Sequence, residues 1–581
     1  MTKSDLKSNF LYSTNELKND FYSFYNFLRN NKFSVILCWF FLLLTYGVKL
    51  FWYSIGIDTE IVLNDYENYK SWWYGINRAG LVLVKKIFRL TPFNPYAANF
   101  LMICTMFLSL MVFSFIFYSI SKKLGSDPRC MFILPCIFIT HPFFAEQFVF
   151  TLQCFEVSFG ILLMFLAAFS ISKWIFDSKN ILHLCIGLIS LSLSFWIYQA
   201  IVFLYITVSI SIFIFYVLNE SETTSSNLIN KNHKITVIKY LSTFAFSYGL
   251  YFVLNKITKC FLHASSAEYL DDMISWGKVD TLKRILEIFK YVFRSKKIIL
   301  ALCMFVVFFV LFILFSKKVN FVLPYLATVT VIAGLHLGTS YLGYCLIAVG
   351  GLLLSINFLC QRKVSNRIIF FLAVTGLLIS PFILSILLGH RCLPRSQFSL
   401  QFVLALIPFL LIQTLNLNIK NTVVYKILST LVCTFSLGLS FTQGYKTAVM
   451  LYYDYMKYQS EVDVANKISE RIGLLDIEDI NNVPVVFVGK MCSPVVPKEI
   501  KGNMLGISFF EMGAKAEEIT FRALGFMRTI GYNYKNPTSE DCEKAVKIAQ
   551  KMKSWPSSEA IKYENGIIIV KLSEDLIPES K

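Results

Sequence analysis

The sequence predicts a polytopic α-helical membrane protein with a soluble tail. Hydrophobic residues make up 56% of the 581 residues and charged residues only 16%, whereas soluble domains carry about a quarter charged residues. Apolar runs long enough to cross a bilayer, which takes about 20 residues, recur between residues 33 and 441. From about Gly444 the chain becomes polar, so we expect a separate domain there.

The apolar runs give about 13 predicted transmembrane helices on this length rule. They cover approximately 33–53, 97–120, 129–141, 149–172, 181–198, 200–218, 235–259, 298–316, 320–337, 339–360, 367–388, 398–417 and 422–441. The third run is short, and residues 320–360 also fit one tilted helix with a re-entrant piece.

Basic residues set the expected orientation, because cytoplasmic loops of membrane proteins are enriched in Lys and Arg. The formal net charge is +18, but the Lys and Arg are scattered in short loops, so no nucleic-acid partner is predicted. Residues 1–32 are expected in the cytoplasm, and 33–441 form the membrane domain. Loops 54–96 and 260–297 and a tail domain, 442–581, are expected in the periplasm.

The tail has the pattern of a small α/β unit, and about 140 residues suffice for one domain. A continuous apolar run bounded by Pro and Gly predicts a buried strand at Val485–Val488. Helices are predicted over 445–473, 516–530 and 541–552, and a hairpin over 561–563 and 567–570.

Two predicted outer loops are amphipathic rather than simply polar. Residues 61–96 are rich in Tyr and Trp, which concentrate at membrane interfaces. Residues 268–297 carry apolar side chains at helical spacing. We expect both segments to form helices that lie on the bilayer surface.

Asp58 and Glu60 are the leading candidates for catalysis, because they follow the first span directly. Trp72, Trp73 and Arg78 follow within twenty residues. Aromatic rings stack on sugar faces, and Arg forks onto phosphate oxygens. The group therefore has the parts needed to move a sugar from a lipid phosphate, with either acid as the base.

Two further outer clusters are candidates for binding. His141 and Glu146 form one, although a helix-end histidine and an interface charge explain them equally well. Arg391 and Arg395 form the other, beside apolar helices. They suit an isoprenoid phosphate, and they also suit ordinary lipid head groups.

The fourteen cysteines form no CxxC pair and no metal-type cluster, so no metal site is predicted. Cys492 and Cys542 are the two in the tail. A bridge between them would close a loop of roughly fifty residues and stabilise the tail by a few kcal/mol. Two unpaired thiols are the alternative, because spacing in sequence does not show that the two Cβ atoms meet.

The layout resembles the type C membrane glycosyltransferases, and within them the serotype-converting O-antigen glucosyltransferases of enteric bacteria and their phages. The family often has Gly-Arg where this chain has Asn77-Arg78. The resemblance is carried by Ile57–Glu60, Trp72 with Asn77-Arg78, Arg391 with Arg395, Phe509-Phe510-Glu511, and the tail stretch 521–528.

This resemblance implies a multi-pass enzyme of the bacterial inner membrane that moves glucose in one inverting displacement. The donor would be undecaprenyl-phosphate-glucose and the acceptor a sugar of lipid-linked O-antigen, with a donor-loading synthase and a small flippase as companions. An outer-loop carboxylate would be the base, and Arg would hold the leaving phosphate. The aromatic residues, with Phe509, Phe510 and Glu511 of the tail, would position the acceptor. Participation of a divalent metal stays open.

Other functions fit parts of the pattern. A related enzyme that uses a polyprenyl-phosphate sugar to modify lipid A, teichoic acid or protein differs only in its acceptor. A lipid or polysaccharide transporter would bury ionisable residues at mid-bilayer, where Glu156, His183 and His336 are the few candidates. An O-acetyltransferase would need a cytoplasmic acyl-donor site, whereas the predicted inner loops are short and basic.

Overall fold

The structure is a computed structural model that describes residues 3–123, 131–178, 180–223, 233–265, 274–278, 280–294, 367–418 and 422–574. The predicted spans 298–316, 320–337 and 339–360 lie outside the described residues.

Helices dominate the part of the chain before residue 474. They are Lys3–Asn30, Lys32–Tyr46, Val48–Phe51, Thr59–Asn64, Tyr66–Gly75, Ala79–Ile87, Pro95–Lys123, Ile133–Thr140, Phe143–Phe148, Cys154–Lys173, Ile181–Ile197, Ile201–Thr223, His233–Leu262, Thr281–Arg294, Arg367–Ile379, Ile383–Leu388, Phe398–Asn418 and Thr422–Gly473. Short 3₁₀ turns at Thr151–Gln153, Ser380–Phe382 and Pro394–Ser396 and a π-helical turn at Trp174–Ser178 connect some of them.

Within the described ranges, four helical stretches are long and apolar enough to cross a membrane: Pro95–Ile120, Thr151–Asp177, His233–Leu262 and Thr422–Gly473. A fifth candidate is the pair Ser13–Asn30 and Lys32–Tyr46, which is bent by 79°. Shorter apolar helices, such as Ile181–Ile197, accompany them. The architecture fits a membrane protein, and the count of 13 spans stays a prediction.

One long helix, Thr422–Gly473, joins the membrane part to the tail. Its 52 residues reach about 78 Å at 1.5 Å per residue, more than twice the roughly 30 Å of a bilayer core. The sequence predicted a change near Gly444, but the helix continues through it. Gly444 lies where the long helix packs closely against the helix Lys32–Tyr46. A Cβ at this position would lie 2.9 Å from Oγ1 of Thr45, so the contact favours glycine.

The tail contains a three-stranded sheet with strand order β1-β3-β2, in which β1 is Val485–Val488, β2 is Ile561–Glu564 and β3 is Ile567–Lys571. β2 and β3 form the antiparallel hairpin that the sequence predicted. β1 pairs with β3 in parallel, a pairing that the sequence did not predict. The tail also contains the helices Ala516–Thr529 and Ser539–Ala549 and the 3₁₀ turns Ile480–Asn482 and Ser558–Ala560.

Alternation along β1 places a helix on each face of the sheet. Val485 and Phe487 belong to a core that includes Phe526 of the helix Ala516–Thr529, called here the tail helix. Val486 and Val488 pack with Ala545 of the second helix. This arrangement holds the tail helix between the sheet and the residues that follow the first apolar run, since Ile55 and Ile57 belong to the same core as Phe526.

The segment after Asp58 forms three short helices rather than the one or two predicted. Trp73 and Leu81 are buried against the helical core, whereas Ile87 is 65% exposed. The segment therefore packs one face on the protein and leaves the other free. That packing fixes the side chains of the candidate site.

Candidate active site

Asp58 and Glu60 lie at the start of the short helix Thr59–Asn64. Asp58 has a φ of 72°, in the left-handed region that non-glycine residues seldom adopt and that Asp tolerates better than most. The two carboxylates meet one guanidinium: Arg522 Nη1 lies 2.7 Å from Asp58 Oδ1 and 2.6 Å from Glu60 Oε1. A residue of the tail helix therefore completes this part of the site.

The two carboxylates differ in their surroundings. The side chain of Asp58 is 23% exposed, and that of Glu60 is fully buried. Burial raises the pKa of Glu60 to about 7, with Arg522 opposing the rise and Asp58 adding to it. Burial tends to lower the pKa of Arg522, but the two carboxylates raise it overall, so this guanidinium stays charged.

The tail helix approaches the helix Thr59–Asn64 closely at Gly525. Asn64 Nδ2 donates a hydrogen bond of 2.7 Å to the carbonyl of Gly525. A Cβ at Gly525 would lie 3.2 Å from Cγ of Glu60. A larger side chain would push the tail helix away from both carboxylates.

A cavity of about 450 Å³ opens beside Asp58 and Arg522. It is lined by Asp58, Ile61, Asn68, Tyr69, Trp72, Trp73, Ile76, Arg78, Phe150, Leu152, Gln153, Arg395, Met504, Met512 and Arg522. Five candidate residues from the sequence, Asp58, Trp72, Trp73, Arg78 and Arg395, are thus brought together. Glu60 lies behind them, buried.

Two arginines hold fixed positions at the cavity. Arg78 donates to Oε1 of Gln199 at 3.2 Å, and its guanidinium lies over the Tyr198 ring at 4.7 Å. Arg395 lies over the Phe150 ring at 4.7 Å. Its Nη1 is buried without a hydrogen-bond partner among the described residues. Arg391 is exposed on the surface and is not a lining residue.

The turn at Asn77 has a backbone conformation that both Gly and Asn can adopt. Asn77 has a φ of 62°, a left-handed conformation that glycine adopts freely and Asn tolerates. Gln199 Nε2 donates to the carbonyls of Ile76 and Asn77 at 2.8 and 2.9 Å. Asn77 therefore has a backbone role, and it aims Arg78 into the cavity.

Aromatic rings form much of the remaining surface. Trp73 is 1% exposed and packs edge-to-face against Tyr69 with ring centroids 4.9 Å apart. Trp72 is 42% exposed and lines the cavity. Burial raises the pKa of Tyr69, so its hydroxyl stays neutral.

His141 and Glu146 do not line the cavity, so their role in substrate binding stays a prediction. His141 is buried, and its Nδ1 accepts a hydrogen bond of 3.2 Å from the backbone of Phe143. Glu146 accepts from the backbone N–H groups of Asn503 and Met504 at 2.8 and 3.2 Å. Glu146 therefore anchors a segment of the tail.

Phe509 and Phe510 form tail core instead of a sugar platform. Both are fully buried, and Phe509 stacks on Phe526 with centroids 4.6 Å apart. Glu511 pairs with Lys501 and is also outside the cavity lining. Burial of an aromatic pair has the same sequence pattern as exposure for stacking, so the sequence alone does not distinguish the two.

Cys492 and Cys542 are both free, so of the two alternatives the structure has the unpaired thiols. Cys542 packs with Val486 and Val488 on one face of the sheet. Cys492 is exposed and lies 3.8 Å from Lys501 Nζ, in a loop held by the hydrogen bond from Met491 N to Phe510 O.

Several lining residues have no signal in the sequence. Gln153, Phe150, Met504 and Met512 belong to types that are common in any apolar protein. Arg522 lies in a stretch that carried the family resemblance, but nothing linked it to Asp58. In the part of the chain that the structure describes, no group of three or more His, Cys, Asp or Glu is placed to hold a metal ion.

The fold and this site define a membrane-type helical protein with a carboxylate–arginine cavity closed by its tail. A family model described as Glucosyl transferase GtrII matches residues 47–347, more than half of the chain. The chain therefore belongs to this glucosyltransferase family, as the resemblance predicted, and it is a glucosyltransferase. No curated protein matches the chain. No solved structure matches it either.

Proposed function

We propose that the protein transfers glucose from undecaprenyl-phosphate-glucose to a sugar of lipid-linked O-antigen at the periplasmic face of the inner membrane. The observation that carries the proposal is the shared cavity. It combines one partly exposed carboxylate, Asp58, with two guanidiniums, Arg78 and Arg395, and with aromatic rings. These are the groups that a sugar-phosphate donor and a sugar acceptor need.

Asp58 is the proposed base, because a base must lie within hydrogen-bond reach of the hydroxyl it deprotonates. Asp58 lines the cavity, whereas Glu60 is fully buried behind it. Glu60 then acts by sharing Arg522, which fixes the position of Asp58. The sequence left the two acids as equal candidates, and their different exposure is what supports the choice of Asp58.

The reaction is one displacement at C1 of glucose. The acceptor hydroxyl gives its proton to Asp58 as its oxygen forms the bond to C1. The bond between C1 and the phosphate oxygen breaks on the opposite face, so the configuration inverts. The polyprenyl phosphate leaves with the electron pair, and Arg78 and Arg395 hold its charge. Preorganised charges of this kind commonly supply the largest part of a rate enhancement.

The cavity also supports the proposed orientation. Three regions that the Lys and Arg distribution places outside the cytoplasm converge on it. They contribute Asp58, Arg395 and Met504, which come from separate parts of the chain. A reporter fused after Lys581 that is active only in the periplasm tests the orientation, and cytoplasmic activity would refute it.

The function is tested with purified protein in nanodiscs supplied with undecaprenyl-phosphate-glucose and lipid-linked O-antigen. Mass spectrometry should detect one added hexose, and proton NMR should show an anomeric configuration opposite to that of the donor. O-antigen from cells with and without the gene gives the matching comparison. Transfer only to lipid A, teichoic acid or protein would keep the enzyme class and reject this acceptor.

A further inference from the structure

A segment of the tail, residues 502–512, forms one wall of the cavity through Met504 and Met512. It lies outside the helices and strands of the tail. A segment without regular structure needs other partners for its backbone N–H and C=O groups. Those partners come from two different parts of the protein.

The first set lies on the long helix Thr422–Gly473. Asp454 Oδ1 accepts from Gly506 N at 3.2 Å, Lys457 Nζ donates to Ile507 O at 3.1 Å, and Glu461 Oε1 accepts from Phe509 N at 2.9 Å. Their spacing of three and four residues places them on one helix face. All three are at most 2% exposed.

The second partner is Glu146, from the membrane part of the chain. Its carboxylate bonds to Asn503 N and Met504 N, immediately before the residues held by the long helix. Buried charges are costly unless they are paired and hydrogen-bonded. Four buried charged side chains form hydrogen bonds with the backbone of this one short segment. The segment is therefore held in a well-defined position.

The side chains that this segment presents to the cavity are thioethers. Methionine is apolar, flexible and polarisable, and it suits the C–H face of a sugar ring better than a phosphate. Asp58, Trp72 and Arg78 lie inside the family-matched range 47–347, whereas this wall lies beyond it, as do Arg395 and Arg522.

We propose that Met504 and Met512 select the acceptor sugar, with the wall held in place by Glu146 and the long helix. The inference rests on the proposed function and deepens it. Arg522, from the same tail, bonds to the base Asp58, so the tail borders the place where the acceptor hydroxyl reacts. Other side chains at positions 504 and 512 would favour a different acceptor sugar, while the reaction with the donor would stay the same.

The test measures kcat/KM for two synthetic acceptor fragments that differ by one hydroxyl replaced by hydrogen, with undecaprenyl-phosphate-glucose as the donor. Met504→Ala and Met512→Ala should change the ratio of the two values by about 10-fold or more, as pocket contacts do. The donor KM should stay constant. Met491→Ala, which alters a partly buried tail methionine outside the cavity lining, is the control and should leave the ratio unchanged.

Met504→Gln keeps the shape of the side chain and adds an amide, so it should favour the acceptor with the extra hydroxyl. Thermal melts verify that each variant is folded. Folded variants with the wild-type ratio would overturn the acceptor role, while wild-type transfer from the same donor would leave the proposed function standing. Wild-type protein without transfer to either fragment or to lipid-linked O-antigen would overturn the proposed function, and the inference with it.

Discussion

Arg522 and Glu60 are 462 positions apart in the chain, and the guanidinium of one donates to the carboxylate of the other at 2.6 Å. The same guanidinium lies 2.7 Å from Asp58. Because Arg522 belongs to the tail helix, the tail supplies part of the site. The tail is therefore part of the catalytic machinery that we propose.

The two carboxylates should respond differently to neutralisation. Asp58→Asn should lower kcat for glucose transfer by about 10²- to 10⁴-fold, the usual loss for a general base. Glu60→Gln should cause a smaller loss, because it removes a charge that holds Arg522 but leaves the base. Both are compared at equal amounts of protein in nanodiscs. A larger loss in Glu60→Gln than in Asp58→Asn would reverse the assignment.

Arg78 and Arg395 should be sensitive to a change that keeps their charge. Lys lacks the planar fork that binds two phosphate oxygens, so Arg78→Lys and Arg395→Lys should each lower kcat/KM for the donor. A hydrogen bond to a charged group contributes about 1.5–3 kcal/mol, which corresponds to about 10- to 100-fold.

Arg391→Lys is the matched control for these variants. Arg391 is four residues from Arg395 in the chain but is exposed and not a lining residue, so its variant should retain activity. Equal losses in all three variants would mean that these arginines act on lipid head groups rather than on the donor.

Local pattern was enough to predict much of the fold. The strand Val485–Val488, the hairpin and the tail helix all lie where apolar periodicity and turn residues indicated. Asp58, Trp72 and Arg78, which line one cavity, were candidates because they are close in sequence and carry recognisable chemistry. Features of this kind depend on residues that are close together in the chain, so they can be predicted from a single sequence.

Long-range features were not predictable in the same way. Glu146 looks like a surface charge in the sequence, but its carboxylate is committed to the backbone of residue 503. Phe509 and Phe510 look like a stacking platform and are buried instead. Met504 has no chemical signature at all. In each case the role depends on a partner hundreds of residues away or on burial, which one sequence does not encode locally.

Gly502 should be intolerant of a methyl group. A Cβ there would lie 1.4 Å from Glu146 Oε1, so Gly502→Ala must displace the carboxylate that holds Asn503 and Met504. Loss of hydrogen bonds to a charged acceptor costs about 1.5–3 kcal/mol each. We expect a lower melting temperature and faster proteolysis of the tail.

Gly438→Ala is the control, because no described atom lies within 4 Å of a Cβ at that helical position and Ala favours a helix over Gly by about 1 kcal/mol. The double variant of Gly502→Ala with Glu146→Gln should show less than the sum of the two single effects, since both disturb the same contact. Full additivity would show that Gly502 acts elsewhere.

Glu60 should make the stability of the docked tail depend on pH. Burial raises its pKa from 4.5 to about 7 in the folded protein. Between pH 4.5 and about pH 7, Glu60 keeps its proton in the folded state but has lost it in the unfolded state. The free energy of unfolding therefore falls as the pH rises through this range, and the contribution of Glu60 is constant above it. Three charged groups interact electrostatically with Glu60: Asp58, Arg522 of the tail helix and Lys457 of the long helix.

Glu60→Gln removes this titration and keeps the volume of the side chain. The melting temperature of the variant minus that of the wild-type protein should therefore increase between pH 5 and pH 8, even if the variant is less stable at pH 5, because only the wild type loses stability through Glu60. Other carboxylates titrate in both proteins and cancel in the difference. A difference that is constant with pH, or that decreases, would show that Glu60 is already ionised throughout this range and that Arg522 outweighs its burial.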